Sequence, residues 1–333
     1  MFSFNRYSQW LLTALVVSLS MFSLNVDSRI MPVQAKQMDG PMSAAWSPDG
    51  KLILMTIVHN EDMWSLYVLN VSSGTLTKIA DNALTSAWSP DGKQIVYATD
   101  TNGVVVINAD GTLPQKIASA GYSPTWSPDS KEVRFLLYDS IARVPIGSKA
   151  VQRVTEQKKQ NFVYYEWSPD QQQIAYTTFA DNAPNTVYLM NADGSSLRKL
   201  AESTSGGDIA WSPDGKHLAT VSDCDKGHGL CVWDADGSNP HKINDYGENP
   251  QWSPDSEQLA YVQGGKICVV NSDGSNQHCL TQDYTGSRPF WSPDGTQLMF
   301  IATTITDVDK DMKMVTKLNV VNADGTGFKQ LVP

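Results

Sequence analysis

The chain has 333 residues, 41% of them hydrophobic and 9% aromatic, and 25 Lys and Arg against 35 Asp and Glu give it a net charge of −10. That is enough apolar material for a sizeable core, and the length suits a single all-β barrel-like or propeller domain. An acidic, moderately charged chain lacks the basic face that nucleic acids and anionic membranes require, and no low-complexity tract marks a long disordered tail.

The N-terminus reads as a leader. Arg6 precedes an apolar run, Trp10 to Leu24, that is shorter than the ~20 residues needed to span a bilayer. Val33 and Ala35 place small residues at −3 and −1 of a cleavage site, so residues 1–35 are expected to be a signal peptide, with an uncleaved anchor as the alternative. No Cys follows the run, which excludes a lipoprotein anchor there. Residues 36–333 are expected to form one domain with no membrane span after cleavage.

From there the chain repeats itself. The string W-S-P-D begins at Trp46, Trp88, Trp126, Trp167, Trp211, Trp252 and Trp291, at spacings of 38 to 44 residues. A period near 40 suits one four-stranded propeller blade. Behind each Trp comes an apolar run (KLILMTIV, KQIVYAT, EQLAYVQ), a variable loop, and a second run (SLYVLN, VVVIN, ICVVN). A turn such as N-A-D-G and a short strand (QKIA, RKLA, KQLV) close the unit. Runs of β-branched and aromatic residues bounded by Gly, Pro, Asn and Asp are strands. The expected fold is therefore all-β, a seven-bladed β-propeller of four-stranded antiparallel blades. We name the strands a to d from the channel outward, with blades starting near Met42, Leu84, Tyr122, Phe162, Gly207, Glu248 and Ser287. Each large Trp is expected between blades.

In Ser-Pro-Asp-Gly, Pro presets φ near −65°, Asp bonds nearby backbone N–H groups and Gly takes a positive φ. The Asp residues are thus turn formers. Ser130, Gln171 and Ser256 replace the Gly in three copies, so those turns either tolerate the strain or differ in geometry. AKQMDGPMSAAW aligns with TKIADNALTSAW, which leaves an extra outer strand on blade seven, beside FKQLV, as one way of closing the ring. Face packing of blades one and seven is the favoured one.

Four cysteines fall on two hairpins. Cys224 ends strand b and Cys231 opens strand c of blade five, while Cys268 and Cys279 lie on strands c and d of blade six. Both pairs fit the reach of a disulfide, and an even count suits an exported chain. In blade seven, Asp307, Asp309 and Asp311 match the first three ligands of a calcium loop. Met312 replaces its Gly and Leu318 its Glu, so a solvated b–c loop is the favoured reading. The five histidines show no metal-ligand spacing, no hydrolase or phosphate-loop motif is present, and no cofactor is expected.

The a–b and c–d turns are short and share one face; the d–a and b–c loops vary and share the other, where binding usually sits. Counting back three or four residues from each Trp places Tyr122, Tyr164, Asp208, Glu248 and Arg288 around one mouth of the channel. Such a mixed rim suits a polar ligand or peptide.

The pattern W-S-P-D-G, apolar run, YVLN or YLMN, ADG, then RKL or KQL resembles the repeats of TolB-type β-propellers, over Trp46 to Pro333. The resemblance implies an exported, periplasmic or secreted propeller, without the α/β domain that precedes the propeller in TolB and without the hydrolase domain of prolyl-oligopeptidase-type relatives. It also implies a non-catalytic role. The expectation is a monomeric scaffold, not an enzyme, that binds an envelope protein or peptide on the d–a/b–c face. The alternatives are a channel-site enzyme of metal-dependent lactonase or lyase type, which would need convergent carboxylates and His at the mouth where the strand-a positions give only Asp208 and Glu248 and no His, and a lectin-like module, which would want the same binding residues in every blade.

Overall fold

A computed structural model describes residues 37–59, 63–99, 103–137, 140–155, 161–179, 184–203, 208–282, 285–308 and 311–332. The expected leader and its cleavage site lie outside the described residues. Those residues contain strands and no helix, arranged as a seven-bladed propeller. Strands a, innermost, run over Gln37–Trp46, Thr85–Trp88, Tyr122–Trp126, Asn161–Trp167, Ile209–Trp211, Glu248–Trp252 and Thr285–Trp291.

Strand periodicity explains why the blades stack. Successive side chains of a strand point to opposite faces, so a strand covered on both sides reads as a continuous apolar run. In blade six, Leu259 and Tyr261 pack with Ala219 and Val232 of blade five, while Ala260 and Val262 pack with Leu298 and Phe300 of blade seven. The core is accordingly divided into seven clusters, one at each joint between neighbours. A buried Trp removes on the order of 200 Å² from water, at most about 5 kcal/mol per joint.

The W-S-P-D turns are self-satisfied. The Ser side chains are 0–5% exposed and need partners. Each Ser Oγ donates to the Asp Oδ1 two residues on, at 2.5–2.7 Å. The same Asp Oδ1 accepts a backbone N–H at 3.0–3.1 Å. Ser130, Gln171 and Ser256 adopt φ of 58°, 67° and 65°, close to the 70° of Gly50, Gly92, Gly215 and Gly295. The turns therefore tolerate the substitution, and new bonds offset the strain. Ser130 Oγ accepts from Asp91 N at 3.1 Å and Ser256 Oγ from Asp214 N at 3.0 Å, each reaching the preceding blade. Gln171 Nε2 donates to Ser168 O at 3.1 Å.

The joints differ near the channel. At four of them the indole N–H donates to the carbonyl before the preceding blade's Trp. These bonds are Trp88 to Ala45 (3.3 Å), Trp126 to Ala87 (3.2 Å), Trp252 to Ala210 (3.0 Å) and Trp291 to Gln251 (3.2 Å). The indole nitrogens of Trp46, Trp167 and Trp211 find no protein acceptor. Another link occurs at each of these joints. Between blades three and four, Tyr165 Oη donates to Ser123 O at 2.9 Å. Between blades four and five, Glu166 Oε2 accepts from Trp211 N at 2.9 Å.

Between blades seven and one, the backbone itself closes the ring. Gln37, Met38 and Asp39 pair in parallel with Lys313, Met314 and Val315 of strand c of blade seven, before the same strand a pairs with strand b of blade one. Face packing alone was the favoured expectation, and this pairing corrects it. Strand c of blade seven runs Asp311–Asn322, and its far half already carries Lys329–Val332 on that edge. The near half is left with unpaired backbone groups, which the N-terminal strand satisfies.

Both expected disulfides form, Cys224–Cys231 and Cys268–Cys279. Cys231 lies within strand c rather than at its start, opposite Thr220, because the hairpin closes early at Cys224 and Gly227. Disulfides form and persist in oxidising compartments, the setting these two fit. The long b–c loop expected around Asp307, Asp309 and Asp311 is instead paired strand up to Val308 and from Asp311 on. Asp309 and the side chains of Asp307 and Asp311 lie outside the described residues.

Candidate functional site

Strand a brings its third and fourth residues before the Trp to the channel mouth, and irregularities there aim the side chains. Bulges interrupt strand a between Phe162 and Tyr164, between Glu248 and Gln251, and between Ser287 and Phe290. Asn249 and Arg288 hold φ of 50° and 46°. A bulky residue in the left-handed region costs on the order of 1–2 kcal/mol, and such strain collects where function requires a particular aim.

Four of the five expected rim residues meet. Arg288 of blade seven donates from Nη2 to Tyr164 Oη of blade four at 2.7 Å, with its guanidinium carbon 5.9 Å from the ring centroid. Asp208 of blade five accepts from Asn249 N of blade six at 3.0 Å through Oδ2. The Glu248 side chain stands partly exposed and partly covered at the mouth and makes no hydrogen bond or ion pair among the described residues. Arg288 and Asp208 feel each other's charge without forming an ion pair, so a positive and a negative pole face one mouth. Tyr122 does not join them. Its hydroxyl donates to Leu137 O of its own blade at 3.3 Å, and its ring packs on Leu136, Ile141 and Tyr165.

The electrostatics follow from burial with incomplete compensation. Burial raises the carboxyl of Asp208, against the opposing pull of Asn249 N–H and Arg288. Burial, and then the neighbouring Asp208, raise Glu248. Burial raises Tyr164 although Arg288 opposes it. Titratable groups shifted together in one cleft are a candidate acid–base site.

Glu166, two residues beyond Tyr164 on the same strand, was not among the expected site residues. Burial pushes its carboxyl up to about 7, against the Trp211 N–H. A signal was present in the sequence: the residue before the Trp is Ala45, Ala87, Thr125, Ala210, Gln251 or Phe290 in the other blades, and an acid here alone.

Comparison with known proteins extends the picture. The family model described as TolB beta propeller domain (PD40) matches residues 104–332. No curated protein matches the chain. Among solved structures, an oligogalacturonate lyase in complex with manganese is 16% identical with a TM-score of 0.66, covering 85% of this chain and 89% of that one. A putative TolB from Agrobacterium tumefaciens is 17% identical with a TM-score of 0.52, covering 80% and 87%. A puromycin hydrolase is 12% identical with a TM-score of 0.69, covering 90% of this chain and 54% of that one, so this chain spans about half its length.

These likenesses are likenesses of fold, and they correct one expectation. Enzymes carry this fold over nearly the whole of the present chain, and the mouth gathers shifted titratable groups rather than an apolar docking surface. The reading as a non-catalytic scaffold for protein or peptide partners, and as not an enzyme, is therefore not upheld. Among the described residues no three His, Cys, Asp or Glu side chains gather to hold a metal ion. Among the described residues the mouth offers the two carboxylates Asp208 and Glu248 beside the Arg288 guanidinium and no His. With the family model covering well over half its length and the seven W-S-P-D blades in place, the chain belongs to the TolB β-propeller domain family.

Proposed function

We propose that this propeller is a channel-site enzyme of lyase type, acting on an acidic, hydroxyl-rich substrate of uronate character. The observation that carries the reading is the pairing of Arg288 with Tyr164 beside two carboxylates of raised affinity for protons. The guanidinium receives the substrate carboxylate in a fork and offsets its charge, which acidifies the adjacent C–H bond. Glu248, its carboxyl raised by burial and by the neighbouring Asp208, takes that proton. The electron pair of the C–H bond becomes the new C=C bond as the β C–O bond breaks. The Tyr164 hydroxyl, kept protonated by burial, passes its proton to the departing oxygen. Exchange with water restores both groups. Asp208, held by Asn249 N–H, accepts a substrate hydroxyl and fixes its orientation.

The substrate class follows the lyase among the structural neighbours, and the chemistry is argued from the four side chains at the mouth. The test is incubation of the full chain with oligogalacturonate and other uronate oligomers. Elimination yields a conjugated unsaturated uronate that absorbs in the ultraviolet, with cleavage that adds no water to the products by mass. No unsaturated product from any uronate, or an unchanged rate in Glu248→Gln, would refute the reading.

The apolar N-terminal run and the two disulfides support export, to the periplasm or beyond the cell. Fractionation of cells expressing the chain, with N-terminal sequencing of the product, tests this.

A further inference from the structure

The joint between blades four and five separates two of the four side chains at the mouth. Tyr164 stands on strand a of blade four, and Asp208 directly precedes strand a of blade five. This joint lacks the indole–carbonyl bond made by Trp88, Trp126, Trp252 and Trp291, because the Trp211 indole finds no protein acceptor. Its polar link near the channel is the 2.9 Å bond from Trp211 N to Glu166 Oε2. Glu166 and Tyr164 are two residues apart on one strand and share a face. Trp211 lies three residues beyond Asp208. A change at this link therefore moves one strand bearing a mouth residue against another.

We infer that Glu166 is a positioning residue of the mouth: by holding Trp211 N–H it sets the spacing between Tyr164 and Asp208. The inference rests on the reading of the mouth as the functional site. The comparison between joints supports it. Tyr165 fills the corresponding role between blades three and four with a phenol that stays neutral, and backbone pairing fills it between blades seven and one. The link at Glu166 is a carboxyl that burial pushes up to about 7, and among the described residues no charged group pairs with it. Arg134 faces Tyr165 and the Trp167 ring instead, and Asp208 and Arg288 face Tyr164. Ionisation turns a neutral hydrogen bond into a shorter, charge-assisted one, so the spacing at the mouth varies with pH.

The test uses the full chain with ring-labelled tyrosine, followed by NMR from mildly acidic to mildly alkaline pH. The Tyr164 signal is identified by its loss in Tyr164→Phe. In the wild type it is expected to move with a midpoint near pH 7. In Glu166→Gln, which keeps an acceptor for Trp211 N–H, the step disappears and the low-pH signal is retained; it persists in Asp208→Asn and Glu248→Gln. Glu166→Ala has the same charge as Gln but no link. It is expected to displace the Tyr164 signal at every pH and to speed exchange of the Trp211 amide.

Equal Tyr164 signals in the Gln and Ala variants would overturn the inference, as a purely electrostatic influence would produce them. A wild-type signal that does not move would overturn its pH-dependent part. In the elimination assay Glu166→Ala lowers kcat by on the order of ten- to a hundredfold and Glu166→Gln does not. If the wild type eliminates nothing, the proposed function fails while the NMR comparison decides the positioning role on its own.

Discussion

Arg288 and Tyr164, 124 residues apart in sequence, meet at 2.7 Å across the mouth of the channel. They come from blades seven and four, so the contact spans the opening rather than a joint. Arg288 reaches it from a bulge at φ 46°, a conformation that favours glycine. In the proposed elimination, a substrate carboxylate entering here would take the place of the Tyr164 hydroxyl on the guanidinium.

This arrangement separates stability from function at one position. Arg288→Gly removes the side chain and the left-handed strain together. It is expected to leave the folded state as stable as the wild type or up to ~1 kcal/mol more so. Uronate binding and elimination are lost. Thermal unfolding beside the elimination assay checks both; a large drop in Tm would show that Arg288 serves the fold instead.

Ring closure depends on Gly40. Its φ is 117°, and a Cβ there would run into the backbone oxygen of Thr316 on strand c of blade seven. Gly40→Ala is expected to lift Gln37–Asp39 off that strand and cost roughly 2–3 kcal/mol, from strain plus lost pairing. Hydrogen exchange should show protection lost first at residues 37–39 and in blade seven. Unchanged protection there would mean the ring holds without this pairing.

Stability is expected to peak at mildly acidic pH, because two sets of carboxyls oppose each other. The turn Asp residues are held below their usual range chiefly by their Ser and backbone partners, and Asp214 reaches about 2. A lowered carboxyl contributes stability that is full above its unfolded value near 3.8 and lost as pH falls through its folded value, here between about 4 and 2. Glu166 has the opposite sign. Raised from 4.5 to about 7, it favours folding when protonated, and that contribution falls as pH rises between those values. A Tm profile with its maximum near pH 4 to 5, moved towards neutral pH by Glu166→Gln, is the expected outcome.

The disulfides are short-range staples, with partners 7 and 11 positions apart in sequence. Each closes a small loop, so reduction is expected to lower stability by about 2–3 kcal/mol per bridge. Thiol titration of the denatured, unreduced chain should find no free thiol, and two or more would contradict the pairing.

Ser130 tests how a turn without Gly survives. Ser130→Ala keeps the positive φ but loses the bond from Asp91 N, and is expected to cost about 1 kcal/mol. Ser130→Gly loses the same bond but relieves the strain and is expected to be nearly neutral. Equal losses in the two variants would mean that strain contributes nothing at this turn.

Much of this architecture was legible because its causes are local. A Trp followed by Ser-Pro-Asp specifies a turn through neighbours within five residues, as the Ser212–Asp214–His217 bonds show. Repetition of that unit made the blade count readable, and hairpin geometry brought each cysteine pair within reach. Counting back from the Trp picked out Tyr164 and Arg288, which the ring brings to 2.7 Å of each other. Tyr122, picked out by the same count, has its ring against an apolar joint and its hydroxyl on Leu137 O.

The repeat, the turns, the cysteine pairs and the position of the mouth belong to short-range chemistry, and the amino-acid order alone carries them. Contacts between blades do not. The bond across the mouth, the carboxyl of Glu166 on Trp211 N–H and the parallel pairing of Gln37–Asp39 with Lys313–Val315 join segments 45 to nearly 280 residues apart. Their existence follows from how seven near-identical sheets settle around one axis, where small differences of tilt and bulge decide which polar groups meet. Burial then raises the carboxyls of Asp208, Glu248 and Glu166 that the closed ring encloses. The acid–base character of the mouth is thus a property of the assembled ring.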